Sequence, residues 1–179
     1  IVLGLDGTLI QQEKVLEHLK LFHDFVGRSL DPPAAALHCL ESIASDSSNS
    51  VHVISGRSAS DLSACLGRIE GLGLAAELGF SVLKPGENHW TKRELTLAQE
   101  RWKDAARPIF ERFMLRTNGV YTQWQESVAR WCYHNADPDY GRFQARQLTA
   151  VLKEQLKGAG VSVSHSVAKC QVEVRIAGV

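Results

Sequence analysis

Ile1-Val2-Leu3-Gly4-Leu5-Asp6-Gly7-Thr8-Leu9 opens the chain, and its reading decides the fold. A short apolar run meets an acid and then a Gly-Thr turn. A buried parallel strand ends this way when its carboxyl edge carries chemistry. Alternate side chains of a strand share one side, so positions 4 and 6 point the same way. Position 6 is an aspartate. Position 4 is a glycine, which can neither act as a nucleophile nor hold a metal through a side chain.

Working outward from that strand, helical and strand patterns alternate. Val15, Leu19, Leu21, Phe22 and Phe25 recur at helical spacing and predict an amphipathic helix over residues 11–26. Asp31-Pro32-Pro33 reads as a helix start with Asp31 as cap, followed by a helix over Ala34–Ala44 with Leu37, Leu40 and Ile43 inward. Ser45–Ser50 is a polar loop. Val51-His52-Val53-Ile54 is a β-branched, alternating second strand. Ser55-Gly56-Arg57-Ser58 is a turn into a third helix, Ala59–Ile69, with Ser55 or Ser58 able to cap it. Leu74-Ala75-Ala76-Glu77 reads as a third strand ended by Gly79. This order predicts a parallel, doubly wound sheet.

The second part changes character. Lys84-Pro85-Gly86-Glu87-Asn88 is a tight polar turn between two short strands. Leu97, Trp102, Ala106, Ile109, Phe110 and Phe113 form the apolar face of a helix over residues 97–116, with Pro108 as a potential kink. Strands follow at Val120–Trp124 and Val128–Tyr133. Asp137-Pro138-Asp139 starts a helix over residues 138–156 with Phe143, Leu148, Val151 and Leu152 inward. Val161–Val167 and Val172–Ile176 close the pattern. Residues 81–176 therefore read as a separate α+β cap, residues 1–80 as the first part of a Rossmann-like core, and residues 177–179 as the start of the return to it.

Composition limits the function classes. The chain has 179 residues, of which 44% are hydrophobic and 22% charged, and its 20 basic and 20 acidic residues cancel. No basic stripe suggests a nucleic acid, and no polybasic cluster or long apolar run suggests a membrane. Cys39, Cys65, Cys132 and Cys170 are widely spaced without a C-x-x-C pair, which points to reduced, buried thiols and an intracellular, cytoplasmic setting. Trp90, Trp102, Trp124 and Trp131 read as packing residues, and Arg175 either as a partner for Glu173 across a strand edge or as a side chain reaching solvent.

Five blocks in one order carry a resemblance. They are Leu5-Asp6-Gly7-Thr8-Leu9, Val53-Ile54-Ser55-Gly56-Arg57, the Gly73–Phe80 segment, Gln125–Tyr133 with Ala136–Gly141, and Val172-Glu173-Val174-Arg175. The chain resembles the trehalose-6-phosphate phosphatases, haloacid dehalogenase-like enzymes. Within them it is most similar to the phosphatase-like C-terminal half of plant-type trehalose-6-phosphate synthases. The resemblance implies an α/β fold, a haloacid dehalogenase-like Rossmannoid core with an inserted α+β cap. The core would be incomplete here, its C-terminal part belonging to a longer chain.

The resemblance also implies roles. The position of Gly4 is that of the aspartate which attacks phosphorus and binds Mg²⁺ in the family. Asp6 matches the acid/base aspartate, whose backbone carbonyl also touches the metal. Ser55, with Gly56, matches the phosphate-binding turn. Glu77 stands in the family's Glu-His-Gly turn, here Glu77-Leu78-Gly79, and Gln123 and Gln125 replace a glutamate and a lysine that read the sugar. Loss of the Gly4 carboxylate removes nucleophile and ligand together, so Mg²⁺ is not expected to bind here. The implied partners are trehalose 6-phosphate or a related sugar phosphate, held weakly or not at all, and an attached or associated glycosyltransferase synthase domain. The reading is thus an inactive regulatory or scaffolding module. The alternatives are an active Mg²⁺-dependent trehalose-6-phosphate phosphatase in which Asp6 itself attacks, and an interaction domain without ligand.

Overall fold

The computed structural model describes residues 1–10 and 31–178. The helix expected over 11–26 lies outside the described residues. Two compact units are present, Ile1–Arg93 and Glu94–Val179. No described helix is long and apolar enough to cross a membrane.

In the first unit, β1 (Val2–Gly4), β2 (Val51–Ile54) and β3 (Leu72–Ala76) run parallel and in that order. Between them lie α1 (Ala34–Ala44) and α2 (Ala59–Leu66). Leu37 and Leu40 of α1, Leu62 and Leu66 of α2, and Val51, Val53, Leu72 and Leu74 of the sheet share one apolar core with Leu5. Burying such side chains contributes about 1.5–3 kcal/mol each. Register brings Gly4 opposite Ile54, and Ile54 opposite Ala75. The residues that follow, Leu5, Ser55 and Ala76, therefore reach the same carboxyl edge.

Four expectations are corrected. Cys65 and Cys132 are buried thiols, but Cys39 is exposed and Cys170 half-buried. The first unit does not close at residue 80, because β4 (Ser81–Leu83) and β5 (Thr91–Lys92) continue the same sheet antiparallel to β3. Glu77 and Leu78 at φ 48° and 62°, then Gly79 at 103°, fold the chain straight back on β3, where its backbone groups find ladder partners. The second unit accordingly begins at Glu94. The cap position of α1, expected of Asp31, is taken by Pro33, which makes no side-chain cap bond. The helix after Ser58 stops at Leu66.

The second unit is a four-stranded antiparallel sheet of order β6-β7-β9-β8, built from β6 (Tyr121–Trp124), β7 (Val128–Cys132), β8 (Val161–Ser166) and β9 (Gln171–Ile176). It carries α3 (Leu97–Met114) and α4 (Pro138–Gln155). Thr96 and Gln99 form a capping box for α3, which runs unbroken through Pro108. Asp137 caps α4 by accepting the backbone N–H groups of Asp139 and Tyr140, at 3.1 and 2.8 Å. Trp102, Ala106, Ile109, Phe110 and Phe113 are buried on α3, as the spacing predicts, but Leu97 at its first position is exposed. On α4 Leu148 and Leu152 are buried, whereas Phe143 is exposed, because Gly141, Gln144 and Ala145 take the inward places in that turn. Ala129, Trp131, Val172, Val174 and Ile176 form the buried side of the sheet. The other side carries a polar row in register across all four strands: Gln123, Arg130, Glu173 and Ser164.

Candidate functional site

The edge of β1 and β2 gathers the first group of expected site residues. After Gly4 the chain turns at once: the Gly7 N–H bonds the Ile10 carbonyl at 2.8 Å, and the Leu9 N–H bonds the Leu5 carbonyl at 3.0 Å. This turn presents Asp6, whose side chain keeps 44% of its exposure. Ser55, at the end of β2, is 4% exposed and donates from its hydroxyl to Asp6 Oδ2 at 3.3 Å. The same hydroxyl oxygen accepts the Arg57 backbone N–H at 3.2 Å. Ser58 then caps α2 in a box with Asp61, which holds the Ser55–Ser58 turn against the helix.

Arg57 is the residue the sequence reading missed. Its Nη2 lies 2.5 Å from Asp6 Oδ1, and its Nε donates to Oδ2 at 3.2 Å. The guanidinium thus grips the carboxylate with two parallel donors. A capping turn explains Ser55-Gly56-Arg57 without any partner for the arginine, so nothing local in the sequence announces this pair. Glu77 joins the same edge through its backbone: its N–H bonds the Arg57 carbonyl at 2.9 Å, and Leu78 N–H bonds the Ser55 carbonyl at 2.9 Å. Two consecutive non-glycine residues in the left-handed region are costly, and such strain concentrates at functional edges.

Among the described residues, a Cβ built at position 4 meets only Thr8 Oγ1 at 3.4 Å, an ordinary contact. Gly4 brings no carboxylate to this edge, both Asp6 carboxylate oxygens accept from Arg57 or Ser55, and among the described residues no three His, Cys, Asp or Glu side chains cluster as a metal would need.

Gln123 and Gln125 lie in the second unit, on the polar side of its sheet. Gln123 is exposed and stands opposite Arg130. Gln125 accepts from Arg130 Nη1 at 3.0 Å. Arg130 Nε also donates to Glu173 Oε2 at 2.7 Å, and Arg175 Nε to Glu173 Oε1 at 3.0 Å. The expected Arg175–Glu173 pair is present; Arg130 as the second partner was not legible, since it comes from another strand. Burial works against the Glu173 charge, but hydrogen bonds and attraction from Arg175 and Arg130 outweigh it and hold its carboxyl below the usual range.

The parallel β1–β3 strands with antiparallel β4 and β5, followed in the chain by an α+β unit, have the haloacid dehalogenase-like α/β fold. Comparison with known proteins narrows this. The trehalose-phosphatase family model matches residues 24–179, and the chain belongs to that family. It is 32% identical to a trehalose-phosphatase of Schizosaccharomyces pombe over 91% of its length, which is 18% of that protein. It is 31% identical to probable alpha,alpha-trehalose-phosphate synthase 9 (UDP-forming) of Arabidopsis thaliana over 100% of its length, 19% of that protein. The chain thus spans under a fifth of these relatives. Its fold superposes on the C-terminal domain of the Candida albicans trehalose-6-phosphate phosphatase with TM-score 0.73 at 27% identity, covering 99% of this chain and 57% of that one.

Proposed function

We propose that this trehalose-phosphatase-like chain has lost phosphoryl transfer and serves as a regulatory or scaffolding module beside a synthase domain. The observation that carries the reading is Gly4 at the strand edge. No side chain there can attack phosphorus, although the described residues leave space for one. Loss of the nucleophile in an unrelated hydrolase costs on the order of 10⁶ in rate. Attack by Asp6 instead meets an obstacle: the Arg57 and Ser55 donors already engage both of its oxygens. Gln123 and Gln125 bring no charge with which to hold a sugar phosphate. The plant relative named as a synthase supports the association with a synthase domain.

What remains at the edge has the chemistry of an oxyanion site in the Arg57 guanidinium and the Ser55 hydroxyl. A dissociation constant for trehalose 6-phosphate in the millimolar range, about −4 kcal/mol, is expected. Two measurements on the full-length protein test the reading. Phosphate release from trehalose 6-phosphate with Mg²⁺ should stay at background, and turnover abolished by Asp6→Asn would overturn the loss of catalysis. Calorimetric titration with trehalose 6-phosphate should give weak heats that Ser55→Ala diminishes. Flat heats at saturation would leave the scaffold role alone.

A further inference from the structure

We infer that the first unit carries a binding site for a small organic cation, an ammonium group on an apolar body, in a cavity at the amino-terminal end of β3. The cavity measures about 380 Å³ and is lined by residues of that unit. It lies at Gly71 and Leu72, where β3 begins, whereas Asp6 and Ser55 follow the ends of β1 and β2. It is therefore separate from the site described above. Two turns shape it. α2 ends at Leu66, and Gly71, at φ 76°, directs the chain into β3. The second turn, Lys84-Pro85-Gly86-Glu87, reverses the chain after β4: Gly86 stands at φ 78°, and the Glu87 N–H bonds the Lys84 carbonyl at 3.0 Å. The floor is apolar, made by Leu66, Ile69, Leu72, Leu74 and, from β4, Leu83. Among the described residues the only charged side chains on the wall are Glu70 and Glu87, with the Asn88 amide as a further polar group.

Glu87 points to the ligand. Its side chain keeps 33% exposure, and its Oε2 atom is buried without a hydrogen-bond partner among the described residues. Lys84 Nζ stands 3.7 Å from Oε1 and His89 Nε2 3.6 Å from Oε2, both beyond hydrogen-bond reach. These two side chains are largely exposed, so they hold the carboxylate loosely. A buried carboxylate oxygen without a donor is costly and calls for one. An ammonium brings three donors and the opposite charge, and its apolar body covers the leucines. An anion would meet two like charges on the wall. A neutral apolar molecule would leave Oε2 unsatisfied.

Phenethylammonium and phenethyl alcohol, matched in body and different in charge, are the probes. Each is titrated into the full-length protein at neutral pH, followed by calorimetry and by the Asn88 side-chain amide signal in NMR. The ammonium should bind about tenfold more tightly than the alcohol, the order expected of hydrogen bonds to a charged group. Rising salt should weaken the ammonium alone. Glu87→Gln should remove about that same factor from the ammonium and leave the alcohol unchanged. Glu70→Gln should weaken the ammonium less, because Glu70 is exposed. The comparison of the two probes on the native protein depends on no variant. Equal affinities for the two probes, or an ammonium affinity indifferent to Glu87→Gln, would show that water satisfies the carboxylate and would overturn the inference. Absence of binding by both probes would overturn it as well.

Discussion

Glu173→Gln should destabilise the second unit sharply, because one carboxylate holds two arginines drawn from different strands. Glu173 bonds Arg130 Nε at 2.7 Å and Arg175 Nε at 3.0 Å, and the Arg130, Glu173 and Arg175 side chains keep only 17%, 18% and 11% exposure. The Arg175 Nη1 atom is already buried without a hydrogen-bond partner, so a second lost bond leaves that guanidinium poorly satisfied. Breaking a buried pair costs about 3–5 kcal/mol. Residual exposure places this case at the lower end, about 3 kcal/mol. For a chain of this size that corresponds to a fall in Tm of roughly 6–12 °C. Urea denaturation at neutral pH measures it, with far-ultraviolet circular dichroism as the signal. Adding Arg130→Gln should recover about half of the loss, since the neighbouring positive charges no longer face each other unopposed. A loss below about 0.5 kcal/mol, or no relief from the second substitution, would refute the reasoning and class the cluster with weak surface pairs. The pH dependence has a definite sign. The Glu173 carboxyl titrates lower in the folded chain than its ordinary 4.5, so its contribution is complete above that pH. It is lost as pH falls through the lowered folded value. The difference between native and variant should therefore shrink in acid and persist in mild alkali.

Gly73→Ala should destabilise the first unit by about 1–3 kcal/mol, the usual cost of overpacking. The cause is the His52 ring across the β2–β3 pair, whose Nδ1 would lie 2.2 Å from the new Cβ. His52→Ala in the same chain should remove most of that cost, and an undiminished penalty would show that the strain lies elsewhere. Gly4→Asp should fold with near-native stability, because its Cβ finds an ordinary contact at 3.4 Å. It should restore little phosphate release from trehalose 6-phosphate; efficient hydrolysis by that single variant would show that Gln123 and Gln125 matter less than their chemistry suggests.

Element order was legible wherever a local pattern sufficed. The α1 and β2 spans, the strand after Ile1, the Ser58 cap and the Asp137-Pro138 helix start follow from side chains that act within a few residues. The family, too, was legible, because its blocks are strings of adjacent residues. That position 4 carries no side chain is likewise a fact of one position. Tertiary structure alone decided three things. It continued the first sheet through β4 and β5, because a left-handed turn at Glu77–Gly79 offered β3 a partner. It turned Phe143 outward, because Gly141, Gln144 and Ala145 take the inward places in the first turns of α4. And it joined Asp6 to Arg57, and Glu173 to Arg130, across 51 and 43 residues of sequence. An ion pair of that reach depends on strand register, and register comes from how the whole sheet pairs and buries its apolar face, which no short stretch of sequence contains.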